Sequence, residues 1–486
     1  MSLLSLIIAT PLIGALISLL IPNTRVKLIQ GVALVFSAIA LLLSGYLYAA
    51  FDKAITAMQF VERLSWIPAF NITYYVGIDG LSVALVVLTA LLTLLAIVYS
   101  FNITLRVKEF FFWFLLLEAG MLGVFVSLDF FLFYVFWELT LVPMYFLIGI
   151  WGGPKKEYAA IKFFLFTLFG SLFMLLGILA LYFYSAPHTF DMLELIKQGA
   201  LLPKNIQIWI FLALYLGFAI KIPAFPFHTW LPLAHVEAPT GVSVILAGVL
   251  LKMGTYGIMR VSFAGLPQAT QWFMPFLIVI AVINIVYGAF CAMAQKDLKK
   301  MVAYSSVNHM GYCMLGMTAM SGIGWNGAVL QMITHGLITG SLFFLVGVIY
   351  DRAHTRDIDA FGGLGAKFPI YAGLMIVQVM ASLGLPGLAG FVGEFLCFLG
   401  AFNSWPYYVG VATIGILVTA AFFLRMIEKV FLGPFNEKWA GLKDINFREM
   451  VAIVPLVVLT IVIGVWPKFC LDLIDPTINA MLALIK

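Results

Sequence analysis

The stretch Phe130–Trp151 reads FFLFYVFWELTLVPMYFLIGIW, and Glu138 is the one formally charged side chain among its 22 residues. About 20 apolar residues is the length a helix needs to cross the hydrocarbon of a bilayer. Glu138 lies eight residues in from Phe130, so it sits roughly 12 Å deep at 1.5 Å per residue, near mid-membrane. A single charge at a helix centre costs on the order of 2.5–3.5 kcal/mol. The fold and the purpose of that carboxylate are therefore one question.

Working outward, the whole chain has the same character. It has 486 residues, 63% hydrophobic and 10% charged, with mean hydropathy +1.09. Soluble domains are about 45–50% apolar and about 25% charged. The solvent must be lipid, where backbone groups need internal partners. Unbroken apolar runs indicate helices, since outer-membrane barrels have short alternating segments. The net charge of +5 is spread over connections with no basic stripe, which argues against nucleic acid as a partner. Cys291, Cys313, Cys397 and Cys470 are far apart without a CxxC pair, and read as core thiols with no metal role. The opening MSLLSLIIATPLIGALISLLIP lacks a basic leader and reads as a retained first span.

Fourteen candidate spans follow: 3–22, 28–50, 80–101, 110–128, 130–150, 158–184, 205–234, 241–262, 271–294, 301–320, 325–350, 368–402, 406–432 and 447–466. The fold class is an all-α polytopic membrane protein, and its longest hydrophilic piece is 52–79. Connections after odd-numbered spans carry sixteen Lys and Arg; the opposite face carries seven, namely Lys53, Arg63, Lys197, Lys204, Arg260, Lys468 and Lys486. The positive-inside rule then puts the odd connections in the cytoplasm and both termini outside. Asp79 and Asp129 read as cap or turn residues at span starts, and Lys162 and Arg425, near span ends, as snorkelling cations.

Two spans are longer than one crossing and carry breakers. The seventh contains LGFAIKIPAFPFHTWLP, with Pro223 and Pro226 just after Lys221; the twelfth contains ASLGLPGLAGFVGEF, with Gly384, Pro386, Gly387 and Gly390 just before Glu394. Proline removes a donor and disrupts the preceding turn. Breaks five spans apart imply two inverted five-helix repeats, spans 4–8 and 9–13, the arrangement of many ion transporters with sites at helix breaks. The division is 1–109, 110–262, 263–432 and 433–486.

The embedded charges gather around these breaks. Lys252 is central in span eight (GVSVILAGVLLKMGTYGIM), His309 (SSVNHMG) lies in span ten, and His335 (QMITHGLITG) lies in span eleven. Glu118 lies in span four (WFLLLEAGMLG). Burial disfavours the charged form of an acid or an amine and lets such a group exchange a proton near neutral pH. Glu138, Lys221, Lys252, His309, His335 and Glu394 thus read as stations of a proton relay, and the alternative is a set of structural salt bridges. Glu118 joins them by depth alone. His228 and His235 (HTWLPLAH) could line a pathway, ligate haem or cap a helix end. No GxGxxG in a strand–helix setting, P-loop or iron–sulfur cysteine set is present, so the chain is expected to hold no cofactor and to borrow its driving energy from partners.

VFWELTLVPMYFLIGIWGG together with KIPAFPFHTWLPLAHVEAPTGVSVILAGVLLKMGTYG resembles the antiporter-like membrane subunits of respiratory complex I, over nearly the full chain. Among them it is most similar to the M type, the counterpart of mitochondrial subunit 4. The twelfth-span position, usually Lys in the L and N types, is Glu394 here, and 466–486 is too short for the lateral helix of the L type. The resemblance implies a proton-translocating subunit of an NADH:quinone oxidoreductase. In it Glu138 would pair with Lys221, Lys221 would be the exchanging lysine of the first half-channel, Lys252 would bridge, His309 and His335 would continue the axis, and Glu394 would be the terminal exchanging group. It further implies no redox centre on this chain, with FMN, iron–sulfur clusters and quinone in partner subunits. The partners would be neighbouring L- and N-type subunits and membrane lipid. The competing readings are a multisubunit Na⁺/H⁺ antiporter or energy-converting hydrogenase subunit, a membrane scaffold, and a direct quinone-binding subunit.

Overall fold

The computed structural model describes residues 2–485. Every expected span is helical: α1 (Leu3–Leu20), α2 (Val26–Ala50), α3 (Gly80–Tyr99), α4 (Val107–Val126), α5 (Phe130–Trp151) and α6 (Lys156–Tyr184) run before the first break. A short helix α7 (Met192–Ala200) leads into α8 (Lys204–Lys221) and α9 (Trp230–Glu237), the two halves of span seven. Span eight is α10 (Thr240–Ile245) and α11 (Leu251–Gly257), interleaved with π-helical turns at Leu246–Leu250 and Ile258–Phe263. Next come α12 (Pro267–Met293), α13 (Leu298–Thr318) and α14 (Gly322–Ala353), then a one-turn α15 (Leu364–Lys367). Span twelve is split into α16 (Pro369–Ser382) and α17 (Ala389–Phe402), followed by α18 (Pro406–Phe431), α19 (Phe447–Val465) and α20 (Lys468–Ala483). Eleven of these segments are individually long and apolar enough to cross a membrane. Span twelve is not, because it is two helices of 14 residues each; α8, with Lys204 and Lys221 at its ends, and α13, with Ser305, Ser306, Asn308 and His309 in its middle, are long enough but too polar.

Two features add to the expected spans. The hydrophilic piece 52–79 folds into an antiparallel hairpin, β1 (Gln59–Ile67) and β2 (Ile72–Ile78). Its strands are rich in β-branched and aromatic residues, and Asn71 closes the turn in the left-handed conformation. The segment after span fourteen is not a loose tail: α20 packs back on α3 and α14, and Thr477 Oγ1 accepts a bond from Gly80 N (2.9 Å).

The two halves repeat one local device. Asp129 caps α5 by accepting from Phe131 and Leu132 N, and Asp297 caps α13 by accepting from Lys299 and Lys300 N. Each bridges a Thr-x-Asp turn, Thr189-Phe190-Asp191 or Thr355-Arg356-Asp357, through matched backbone pairs. These are Phe130 N to Phe190 O and Met192 N to Leu128 O in the first half, and Leu298 N to Arg356 O and Ile358 N to Lys296 O in the second. The first motif joins the hairpin end, where Thr73 N bonds Asp129 (2.9 Å). The second lies among the basic connections at the other end, where Arg356 meets Asp297 (3.1 Å). Between the two, α9 packs on α13 and α10 on α14.

Arg260, assigned above to an outer connection, is instead inside span eight. Asp79 caps α3 through Ser82 N and also clasps Arg260 with both carboxylate oxygens at 2.6 Å. Both side chains are buried, and Tyr256 stacks beneath the guanidinium, 5.3 Å from ring centroid. Removing one partner of a buried pair costs about 3–5 kcal/mol because the other charge is left uncompensated. Asp79→Asn is therefore expected to lower the thermal stability of the assembled protein by a large step, read by static light scattering on heating. Unchanged melting would mean that the pair contributes nothing net.

Candidate functional site

The first break lies at 222–229. α8 ends on Lys221, where the aligned peptide dipoles present their negative end and favour a cation. Lys221 is 1% exposed, and its Nζ has no hydrogen-bond partner among the described residues. Two aromatic faces attend it instead, Trp137 at 5.3 Å and Phe163 at 5.9 Å. Glu138, one residue beyond Trp137, is half-buried and does not form a contact ion pair with Lys221: no oxygen lies within 4.0 Å. Its charge reaches Lys221 through space. The expected pairing is thus electrostatic and open, which leaves room for it to be made and broken.

The second break lies at 383–388, before α17. Gly384 and Gly387 adopt φ of +82° and +90°, open to glycine and strained for other residues. At Gly384 an added Cβ would also stand 2.9 Å from Glu394 Oε2, so the glycine admits the carboxylate against the turn. Glu394, in the second turn of α17, is 6% exposed.

Between the breaks runs a chain of buried titratable groups. Lys252 follows directly on the first π-helical turn, which aims its Nζ back at Ala247 O and sideways at His335 Nδ1, 2.7 Å away. Such bulges recur at functional sites. The ring of His335 is 5.5 Å from that of His309. His309 Nε2 is 3.0 Å from Ser382 Oγ, and its Nδ1 is 3.1 Å from Glu394 Oε1, at ion-pair distance without hydrogen-bond alignment. A cavity of about 10 Å³, room for roughly one water, is lined by His309, Gln331, His335, Ser382 and Glu394. Lys252, His335, His309 and Glu394 thus come from four spans to one line.

Other candidates fall differently. His235 is fully buried with both ring nitrogens unpartnered, stacked on Phe343 at 4.5 Å and within electrostatic reach of Lys252 and Lys299. Its chain neighbours Val236 and Glu237 line a polar cavity of about 270 Å³ at the end bearing the basic connections, together with Lys299 and Asp351. His228 is off the line, against Phe225 and Tyr287. Glu118 is also apart; its one bond is from Ser37 Oγ of α2, at 3.1 Å.

The sequence reading missed Asn284. Its Oδ1 accepts from Phe225 N (2.7 Å) and its Nδ2 donates to Pro223 O (3.2 Å), so one buried carboxamide satisfies two backbone groups freed by the first break. The available signal was an amide in the middle of an apolar span, AVINIVYG.

Residues 127–420 match the family described as NADH:quinone oxidoreductase/Mrp antiporter, TM. Over 486 residues the chain is 41% identical to NADH-quinone oxidoreductase subunit M of Rickettsia bellii, covering 98% of each. It is 44% identical over 459 residues to the protein of the same name from Rhodobacter capsulatus, covering 92% of this chain and 89% of that one. A chain in the solved structure of respiratory complex I from Thermus thermophilus with bound NADH superposes with TM-score 0.91 at 30% identity, over 100% of both.

Proposed function

The chain belongs to the NADH:quinone oxidoreductase/Mrp antiporter transmembrane family, and we propose that it carries protons as a membrane subunit of a respiratory complex I. NADH oxidation and quinone reduction take place on partner subunits, which hold the flavin, the iron–sulfur clusters and the quinone. This chain contributes no redox centre and supplies the path.

The observation that carries this reading is the buried line Lys252–His335–His309–Glu394. A lysine ammonium at Lys252 donates to His335 Nδ1, and the imidazole releases the proton carried on its other nitrogen. His309 takes it up and delivers it to Glu394 beside the second break. Two of the steps run between groups in direct contact, and the middle one between imidazole rings 5.5 Å apart. The cavity at Glu237, Lys299 and Asp351 is the access route from the cytoplasm, with His235 behind it. Lys221 exchanges protons at the first break, and Glu138 tunes it through space.

Glu138 supports the placement among partners. A glutamate side chain that is only partly buried at mid-membrane depth is costly against lipid. A neighbouring subunit of the L or N type covers that side, with lipid elsewhere. The domain limits 1–109, 110–262, 263–432 and 433–486 follow the two units, with both termini periplasmic.

The test uses inverted vesicles containing the assembled complex in sodium-free buffer. NADH-driven acidification of the lumen is expected to proceed at its full rate. A strict requirement for Na⁺ would overturn the proton reading in favour of sodium–proton exchange.

A further inference from the structure

We infer that Asn284 and Asn308 form a hydrogen-bonded link through which the state of Glu394 is transmitted to the helix break that carries Lys221. The inference rests on the relay reading and adds a second, non-titrating connection between its two ends.

The link is built from consecutive residues. At the break, the Asn284 carboxamide holds Pro223 O and Phe225 N, two and four residues past Lys221. Next to Asn284, Ile285 O accepts from Asn308 Nδ2 at 2.7 Å. Next to Asn308, His309 faces Glu394 at 3.1 Å. Both asparagines are 0% exposed, so neither bond competes with bulk solvent. This route crosses α12 and α13 only. The titratable route through His335 and Lys252 runs elsewhere and makes no hydrogen bond to the break.

The packing makes the link stiff. A Cβ on Gly311 would stand 2.7 Å from Ile285 Cγ1 and 2.9 Å from Ile285 N, and one on Gly288 would stand 2.8 Å from Asn308 N. The two helices are in backbone contact at the level of the asparagines. A displacement of His309, as its contact with Glu394 is made or lost, passes to Ile285 and Asn284 rather than being absorbed by pliant side chains. Asparagine carries no titrating proton, so both are positioning residues.

Coupling of this kind requires a direct test. Hydrogen–deuterium exchange is measured at 222–229 in the purified complex, with and without Glu394→Gln, in wild type and in Asn308→Leu. Glu394→Gln is expected to change exchange at the break at least about twofold in wild type, and Asn308→Leu to abolish that response. Asn284→Ala cuts the same link at its other end, and serves if the Asn308→Leu complex does not assemble. No response in wild type, or an equal response with the link cut, overturns the inference. Acidification by the Glu394→Gln complex is read in parallel. If pumping is lost while the break stays silent, the link alone fails; if pumping is intact, the relay reading fails.

Discussion

Lys252→Met lowers NADH-driven quinone reduction and proton pumping together by about tenfold or more, the equivalent of at least ~1.4 kcal/mol on the coupled barrier. Methionine is similar in length and apolar, so it fills the site without leaving a buried charge or a large void. What it removes is the donor to His335 Nδ1 at 2.7 Å, the one direct side-chain bond that joins span eight to the line. Positioned proton transfer typically contributes 10²–10⁴-fold, which makes this the largest effect expected of any single change here. Lys252→Arg separates charge from titration. Arginine keeps the cation but does not release its proton in proteins. It is expected to fail nearly as badly as methionine. Recovery of full activity in the arginine variant would mean that Lys252 serves only as a fixed charge.

Glu138→Gln is the second. Glutamine keeps the size and most of the hydrogen-bonding capacity and removes the charge. Since Glu138 acts on Lys221 without touching it, no contact ion pair is lost, and assembly is expected to hold. Lys221 then has aromatic faces and a helix end to favour its cation but no anion. Its proton affinity changes, and turnover is expected to fall about fivefold or more, since one unit of pKa corresponds to roughly 1.4 kcal/mol. A defect confined to assembly, with the residual complex fully active, would reassign Glu138 to subunit packing.

The apolar runs made all fourteen spans legible, because lipid permits little besides helices. The breaks were legible too: Pro223 and Pro226 in one, Gly384 and Gly387 in the other. Charge in an apolar run marked Lys252, His309, His335 and Glu394, and the structure brings these four together. It also marked Glu118, which lies apart, since depth says nothing about which face a residue takes. Arg260 was misplaced because its partner, Asp79, is far away in sequence and counting charges by loop cannot pair them. The hairpin in 52–79 was hidden because its strands do not alternate cleanly and their register is interrupted twice. The π-helical turns that aim Lys252 leave no mark in composition. Asn284 and Asn308 were overlooked because a neutral amide in a span is weakly costly and easily read as packing. The Thr-x-Asp turns at 189–191 and 355–357 were readable, but only a comparison of the two halves makes them a signal.

The most direct test of the relay follows quinone reduction and lumen acidification simultaneously in inverted vesicles carrying wild type, Glu138→Gln or Lys252→Met, matched for assembled complex. The relay predicts that both signals fall together in each variant, more steeply for Lys252→Met. Wild-type levels of both signals in both variants would contradict it and leave this chain a membrane scaffold.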